Sequence, residues 1–198
     1  AVLRELVATD PVAQVVAIDV DASSLAEAER AGGASVQARR VDGTAPEEIA
    51  AQVRGADVLV NCTTGAQCVE ILRGAIGARV PYVDVHGILF AERLAFDAAA
   101  REAGVTALLG MGVSPGLTNL LAGYGARRAR GAVTVDCEYV TFRPLNATAG
   151  LLETALRQFR NGAQAPVYED GRIVNHPPFS GRMPTRFHGL DEDIELVY

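Results

Sequence analysis

The chain has 198 residues, and 49% of them are apolar, which is enough to bury the core of one large domain. The formal net charge of −6 argues against a nucleic-acid partner, because nucleic acids select a basic protein face. No apolar run approaches the roughly 20 residues that cross a bilayer, so no membrane span is predicted.

Strand-like and helix-like segments alternate through the first two thirds of the chain. We expect an amphipathic helix over residues 1–7 in place of a signal peptide. Buried strands are then predicted at residues 15–19, 36–41, 58–62, 80–85 and 105–109, with helices between them that include 68–76 and 90–103. A strand about every 20–25 residues with an intervening helix is typical of right-handed βαβ units and a parallel sheet.

The glycine-rich loop of a dinucleotide-binding fold is missing from this pattern. Such a fold opens with a strand followed by G-x-G-x-x-G, whereas this chain opens in what is typical of the helix after that loop. We therefore predict an α/β, Rossmann-like parallel sheet lacking its first strand, in a truncated or partly described chain. The alternative is a fold that never had the loop.

The pattern changes near Gly131. Further elements are predicted there: a half-exposed strand over 133–141, a helix over 151–159, and a hairpin over 166–174 that turns at Asp170-Gly171, before irregular residues 175–198. We therefore predict a dinucleotide-binding domain over residues 1–130 and part of an incomplete α+β substrate or dimerisation domain over residues 131–198.

Two residue types exclude whole classes of chemistry. All 18 basic residues are arginine, so a lysine Schiff base is excluded, and any carboxylate or phosphate must be bound by arginine or backbone. The three cysteines are too few and too scattered for a disulfide scaffold or a zinc site. We therefore expect a cytoplasmic protein without a metal site.

The segment Gly110 to Gly125 is the most informative motif. Ser114 is predicted to cap a helix, and Pro115 suits the first helical turn because its missing N–H would be unpaired there. The free N–H groups of that helix start would favour an anion or a polar ligand group. Ser114 and Pro115 are therefore predicted to bind the cofactor and Asn119 the substrate, with the turn from Ser114 to Asn119 closing over nicotinamide or substrate. The alternative is a tight strand-to-helix connection without a ligand.

Acidic residues follow two of the predicted strands. Asp19 stands where a dinucleotide-binding fold binds the adenosine ribose hydroxyls, with Asp21 as a second candidate, and a carboxylate there favours NAD over NADP. The alternative is an ordinary acid before a helix. Asp42 faces the adenine edge or simply opens the Asp-Gly turn.

Other strand ends carry small polar or titratable residues. Cys62, Thr63 and Thr64 line the predicted cofactor crevice, or a threonine there caps the next helix. Asp84 and His86 could form a proton-transfer pair, the alternative being a structural histidine. Arg143 is a candidate grip for a substrate carboxylate, the alternative being solvated surface.

These segments resemble the saccharopine dehydrogenase family. The resemblance is carried by Val58-Leu-Val-Asn-Cys62, Pro81-Tyr-Val-Asp84, Gly112-Val-Ser-Pro-Gly-Leu-Thr-Asn-Leu-Leu121, and Val167 to Val174 with Pro177-Pro-Phe-Ser180. It implies a Rossmann domain, a second α+β domain that forms a homodimer, a nicotinamide cofactor, and oxidation at a carbon–nitrogen bond of an amino acid or polyamine. The alternatives are an NADP-dependent member acting on saccharopine or carboxynorspermidine, and a non-catalytic dimerising scaffold.

Overall fold

A computed structural model describes residues 2–9, 14–63, 65–131, 133–135, 137–138, 152, 156 and 159–197. The chain divides into two compact units, Ala1–Tyr124 and Gly125–Tyr198. Whether each unit is a domain of its own, with the boundary predicted at residue 131, stays a prediction.

The first unit is an alternating α/β structure, as predicted. Its helices are α1 (Val2–Ala8), α2 (Ala22–Gly32), α3 (Pro46–Val53), α4 (Cys68–Ala78), α5 (Phe90–Leu94) and α6 (Asp97–Ala103), and α7 (Leu117–Arg128) begins in this unit and ends past its last residue, Tyr124. Its strands are β1 (Val15–Asp19), β2 (Val36–Arg40), β3 (Leu59–Asn61), β4 (Tyr82–Asp84) and β5 (Ala107–Leu108). All strand pairs in this unit are parallel, which confirms the fold class.

The parallel strands lie in two sheets. One contains β1 and β2, and the other has the order β3-β4-β5. Among the described residues β1 and β3 each pair along one edge only, and β1 is half-buried along its whole length. A strand inside a parallel sheet is normally buried on both faces. The open edges of β1 and β3 therefore agree with the prediction of a Rossmann-like sheet lacking its first strand.

One apolar core serves both sheets. Its buried members are Val41, Ile49, Val53, Ile71, Leu72, Ala75, Ala78, Val80 and Tyr82. Ile18 of β1 and Leu59 of β3 pack against this core, and α3 packs along α4 beside it. Burial of these side chains is the main force that holds the strand ends in place.

The single helix predicted over residues 90–103 is wrong in its continuity. Phe96 separates α5 from α6 and packs against the core. Burial of that ring decides the break, which an Ala-rich sequence does not signal by propensity.

The second unit contains antiparallel pairs. The predicted hairpin is confirmed as β6 (Ala165–Glu169) and β7 (Arg172–His176), which turn at Asp170 and Gly171. The irregular structure predicted for residues 175–198 is wrong in part, because β8 (Met183–Thr185) pairs with β9 (Ile194–Leu196). The ion pair Arg182–Glu195, at 2.7 Å, lies beside this pairing, which joins segments too distant in sequence for a local pattern to reveal.

Two other predictions for this unit fall largely outside the described residues. Of the strand predicted over 133–141, residues 133–135 and 137–138 form no strand, and the Val133 side chain is 99% exposed, without the packing that strand formation requires. Of the helix predicted over 151–159, Leu152 and Leu156 are helical and Phe159 lies in a turn.

Candidate active site at the carboxyl ends of the strands

Polar side chains at the ends of β3 and β4 form a buried network. The amide Nδ2 of Asn61 donates to the Tyr82 hydroxyl at 2.9 Å, and that hydroxyl donates to Asp84 Oδ2 at 3.0 Å. Burial raises the pKa of Tyr82 well above its ordinary value, so the phenol stays a hydrogen-bond donor. This network fixes the two strand ends relative to each other.

Asp84 is the centre of this network and is fully buried. Its Oδ1 accepts from the backbone N–H of Gly110 at 2.8 Å and of His86 at 3.2 Å, and its Oδ2 also accepts from Arg93. Each of the two carboxylate oxygens of Asp84 thus accepts two hydrogen bonds. The carboxylate orders the surrounding backbone, and the proton-transfer role of Asp84 stays a prediction.

Arg93 of α5 is the functional residue that the sequence did not reveal. Its side chain has no exposed surface, and its guanidinium pairs with Asp84 and lies 5.2 Å from the centre of the Phe90 ring. In sequence it is one of many arginines on amphipathic helices, and these are usually solvated. The only signal available was an acid at a strand end followed by a helical arginine, which is too common to be specific.

His86 is half-buried in the turn after β4. Its imidazole bonds the backbone of Thr63, and its Nε2 is buried without a hydrogen-bond partner in the part of the chain that the structure describes. Burial lowers the pKa of His86, and the positive charge of Arg93 adds to this effect while Asp84 opposes it. The imidazole is therefore neutral at pH 7, and the hydrogen-bonding capacity of its buried Nε2 is unused among the described residues.

The turn from Gly110 to Gly116 is tied to the same strand end. Met111 N donates to Asp84 O at 2.6 Å, and Pro115 packs against Gly87 and Gly110. This contact brings the two turns that follow β4 and β5 together.

The helix start predicted in this turn is wrong in its details. The helix begins at Leu117, so Ser114 does not cap it and Pro115 precedes its first turn. The first N–H donors are already bonded: Leu117 N to Gly112 O at 2.9 Å, Thr118 N to Val113 O at 3.0 Å, and Gly116 N to Asn119 Oδ1 at 3.0 Å. Gly116 permits this closure because its φ is +126° and a Cβ there would lie 2.2 Å from Gly112 O.

This closure occupies three of the N–H groups at the helix start, and the cofactor contacts predicted for Ser114 and Pro115 stay predictions. A ligand there would meet the exposed side chains of Ser114 and Asn119 rather than free backbone N–H groups. The Oδ1 of Asn119 is engaged as a cap, which leaves its Nδ2 as the atom that could contact a substrate.

Cys62 and Thr63 follow β3. Thr63 donates from its N and Oγ1 to Asn61 Oδ1 at 3.0 and 2.8 Å. These two bonds fix the turn whose backbone the His86 imidazole contacts. Although Cys62 is exposed, its surroundings partly exclude water and raise the pKa of its thiol, so the thiol stays protonated at neutral pH. Thr64 and Arg143 lie outside the described residues, and their predicted roles stay predictions.

The ends of β1 and β2 form a second polar cluster. Asp19 is paired in register with Arg40, and its Oδ1 accepts from Asp21 N at 2.9 Å. The Asp21 carboxylate caps α2 by accepting from Ser24 N at 2.9 Å. Hydrogen bonds to this carboxylate, of which the one from the Ser23 hydroxyl has the largest effect, lower the pKa of Asp21 to about 2. Asp21 is thus a helix cap, and Asp19 and Arg40 remain for a ligand.

Arg40 is exposed at this strand end. Its Nε donates to Val20 O at 3.0 Å, and its Nη groups donate to none of the residues that the structure describes. Asp42 Oδ1 accepts from Thr44 N at 2.9 Å and Thr44 Oγ1 at 2.8 Å, bonds that lower the pKa of Asp42. Of its two predicted roles, Asp42 therefore has the turn-opening one here.

None of the helices among the described residues is both long and apolar enough to cross a membrane. No group of three or more histidine, cysteine or acidic residues in the described part of the chain could hold a metal ion.

Comparison with known proteins identifies a family. The sequence model described as "Saccharopine dehydrogenase NADP binding domain" matches residues 1–108. Because that description names NADP, the preference for NAD inferred from Asp19 is not supported, whereas a nicotinamide cofactor is.

One solved structure shares the fold. Apo saccharopine dehydrogenase (L-Glu forming) from Saccharomyces cerevisiae is similar at a TM-score of 0.64 and 16% identity, over 95% of this chain and 44% of that chain. The chain thus spans less than half the length of the yeast protein, and the likeness shows the fold alone. An NADPH-dependent quinone oxidoreductase from Escherichia coli matches at a TM-score of 0.38 and 20% identity, over 54% and 41% of the two chains, and carries no argument.

Proposed function

Because the chain belongs to the saccharopine dehydrogenase family, we propose that it is part of an NADP-dependent oxidoreductase that acts at a carbon–nitrogen bond of an amino acid. The observation that carries the proposal is the neutral His86 imidazole, whose buried Nε2 has no partner among the described residues. A bound nicotinamide would supply the hydride acceptor. The tasks left to the protein are to bind the cofactor, orient the substrate and remove a proton.

His86 is the proposed proton acceptor. As hydride leaves the substrate carbon, the substrate nitrogen loses a proton to Nε2 and an imine forms, which water then hydrolyses. A base with a pKa below its ordinary value is deprotonated at neutral pH and can accept that proton. Asp84 contributes by holding the His86 backbone through the bond from His86 N.

The sequence motif supports the proposed substrate class. Gly112 to Asn119, followed by Gly123-Tyr-Gly-Ala126, most resembles lysine 6-dehydrogenase within the family, so lysine is the first substrate to test. Saccharopine and carboxynorspermidine are the alternatives, and Arg143 and Asn119 are the proposed contacts of the substrate.

The test is reduction of NADP by the full-length protein with lysine or saccharopine, followed by absorbance at 340 nm. His86→Gln should lower kcat by about 10²-fold or more, since positioned general bases contribute about 10²–10⁴-fold. The matched control is His188→Gln, because His188 is exposed. An unchanged kcat in His86→Gln would contradict the role of His86.

The cofactor's ribose is proposed to bind at the ends of β1 and β2. Asp19 accepts a ribose hydroxyl, and the free Nη groups of Arg40 donate to the 2′-phosphate, as an arginine near this strand end does in NADP-binding folds. The residues present therefore fit NADP, although Asp19 and Asp21 add negative charge nearby.

Calorimetry with NADP and NAD tests the ribose site. Arg40→Gln should weaken NADP binding about tenfold or more and leave NAD binding unchanged, because only NADP carries the phosphate. Arg39→Gln is the matched control, since the Arg39 guanidinium is already bonded to Gln52 O at 2.7 Å and Gln37 Oε1 at 2.8 Å. Equal losses in the two variants would rule out this site.

A homodimer in the cytoplasm is proposed for the assembled protein. This rests on the family resemblance, and light scattering of the purified full-length protein measures the mass that decides it. A monomer at micromolar concentration would contradict the dimer.

A further inference from the structure

The guanidinium of Arg93 contacts the turn that carries His86 at several points. Its Nη2 donates to His86 O at 2.9 Å and to Ile88 O at 2.6 Å, its Nε donates to Leu89 O at 3.3 Å, and its Nη1 donates to Asp84. These carbonyls precede α5, and Leu89 has a left-handed backbone with φ +51°. One buried side chain thus satisfies the backbone acceptors of a turn that is neither helix nor strand.

The opposite side of the same turn is held by Asp84. Its Oδ1 accepts from His86 N, so the N–H and the C=O of His86 are bonded to the two partners of a single ion pair. Both peptide groups flanking the His86 Cα are therefore fixed. The direction of the Cα–Cβ bond, and with it the position of the imidazole, is set by this arrangement.

The Asp84–Arg93 pair also joins this turn to the neighbouring one. Asp84 accepts from Gly110 N at 2.8 Å, and a Cβ built on Gly110 would lie 3.5 Å from His86 O. A change in the orientation of Arg93 would therefore move the backbone on both sides of the imidazole.

We propose that Arg93 is a positioning residue for His86: through Asp84 and the carbonyls of His86, Ile88 and Leu89, it aims the imidazole Nε2 at the substrate nitrogen. The inference rests on the proposed function of His86 as proton acceptor. The side chain of Arg93 is fully buried, so it acts through the backbone of the turn.

Arginine is needed because the carboxylate and carbonyl acceptors lie around its planar guanidinium, which donates from three nitrogen atoms. A lysine ammonium keeps the charge but donates from a single atom. It can therefore keep the ion pair with Asp84, but it cannot reach all of the backbone carbonyls that the guanidinium binds. In Arg93→Lys, the turn should keep its ion pair but lose the constraint on the His86 backbone.

The first test is the kinetics of Arg93→Lys in the full-length protein. We expect kcat to fall by about tenfold to a hundredfold while the KM for NADP is unchanged, because a misplacement of a catalytic group by about 1 Å can cost a hundredfold. The matched control is Arg101→Lys, since Arg101 forms an exposed ion pair with Asp97 at 2.8 Å within α6. An unchanged kcat in folded Arg93→Lys would overturn the proposal.

A second readout does not depend on activity. The Hε1 proton NMR signal of His86, assigned from His86→Gln, should shift in Arg93→Lys and stay in place in Arg101→Lys. If His86→Gln retains full kcat, the proposed function has failed, and this NMR shift alone then decides whether Arg93 positions the ring. An unmoved signal in folded Arg93→Lys would overturn the inference.

A neutral double variant covers the case in which Arg93→Lys does not fold. Asp84→Asn with Arg93→Met removes both charges, keeps an oxygen acceptor for Gly110 N and His86 N, and loses the bonds to the carbonyls. It should fold and show the same loss of kcat and the same displaced His86 signal. If neither variant folds, Arg93 serves folding alone and the proposal is overturned.

Discussion

The pyrrolidine ring of Pro115 lies directly on the backbone of Gly87. A Cβ added to Gly87 would come within 2.6 Å of Pro115 Cδ and 3.1 Å of its Cγ. Since Gly87 follows His86, the contact places the turn after β5 against the residue proposed to take the proton. The absence of a side chain at Gly87 is thus a condition for the two turns to meet.

Gly87→Ala should therefore destabilise the protein. Inserting a methyl group into a packed contact costs about 1–3 kcal/mol, because backbone or ring has to shift. Urea unfolding measures the change, and Gly123→Ala is the matched control, since a Cβ on Gly123 in α7 meets nothing within 4 Å. The control should gain about 0.5–1 kcal/mol as a helical Gly-to-Ala change. A loss below about 0.5 kcal/mol in Gly87→Ala would contradict the close packing.

Removal of one member of the buried ion pair should be costly. Arg93→Met leaves the Asp84 carboxylate buried without its charged partner, and breaking such pairs costs about 3–5 kcal/mol. The double variant Asp84→Asn with Arg93→Met should recover much of that loss, because no uncompensated charge remains. Urea unfolding of the two variants gives the comparison. Equal losses would show that hydrogen bonds to the carbonyls, rather than the unpaired charge, dominate.

His86 should make stability depend on pH in the mildly acidic range. Burial lowers the pKa of His86 in the folded state below its ordinary value of 6.5, so the unfolded chain binds a proton that the native chain does not. The free energy of unfolding should therefore fall as the pH drops from about 7 to 5. Unfolding by urea at several pH values checks this.

The control for that pH dependence removes the imidazole. His86→Gln should flatten the profile between about pH 7 and 5. Equal profiles in wild type and His86→Gln would mean that burial does not hold the imidazole neutral.

The hairpin of β6 and β7 should depend on the glycine at its tip. Asp170 and Gly171 have φ of +47° and +81°, the pair of positive values that a type I′ turn requires. Gly171→Ala should destabilise the hairpin by about 1 kcal/mol because alanine is strained there, whereas Asp170→Asn should be tolerated. Hydrogen exchange of the hairpin amides reports the difference. Equal exchange rates in the two variants would contradict the turn type.

The sequence predicted the α/β class and the parallel strands well. Hydrophobic runs such as Val15–Asp19 and turn signals such as Asp170-Gly171 are local, so the spacing of apolar residues and the position of turn residues are enough to find them. The same local signals placed Asp19 and His86 at strand ends. They also brought out the family resemblance of the segments around Asp84 and Gly112.

The partners of those residues could not be predicted, because they are set by distances between segments remote in sequence. In the sequence, Asp84 is a carboxylate two residues from a histidine, which favours a proton-transfer pair. Only the structure shows that its oxygens already accept hydrogen bonds from Arg93 and Gly110 N. The sequence predicts free N–H groups at the start of α7. Only the structure shows that Gly112 O and Asn119 Oδ1 accept hydrogen bonds from N–H groups there. Sequence periodicity determined which residues reach the edge of the sheet, and tertiary packing decided which of them have an atom left for a ligand, because burial and hydrogen bonding act through space.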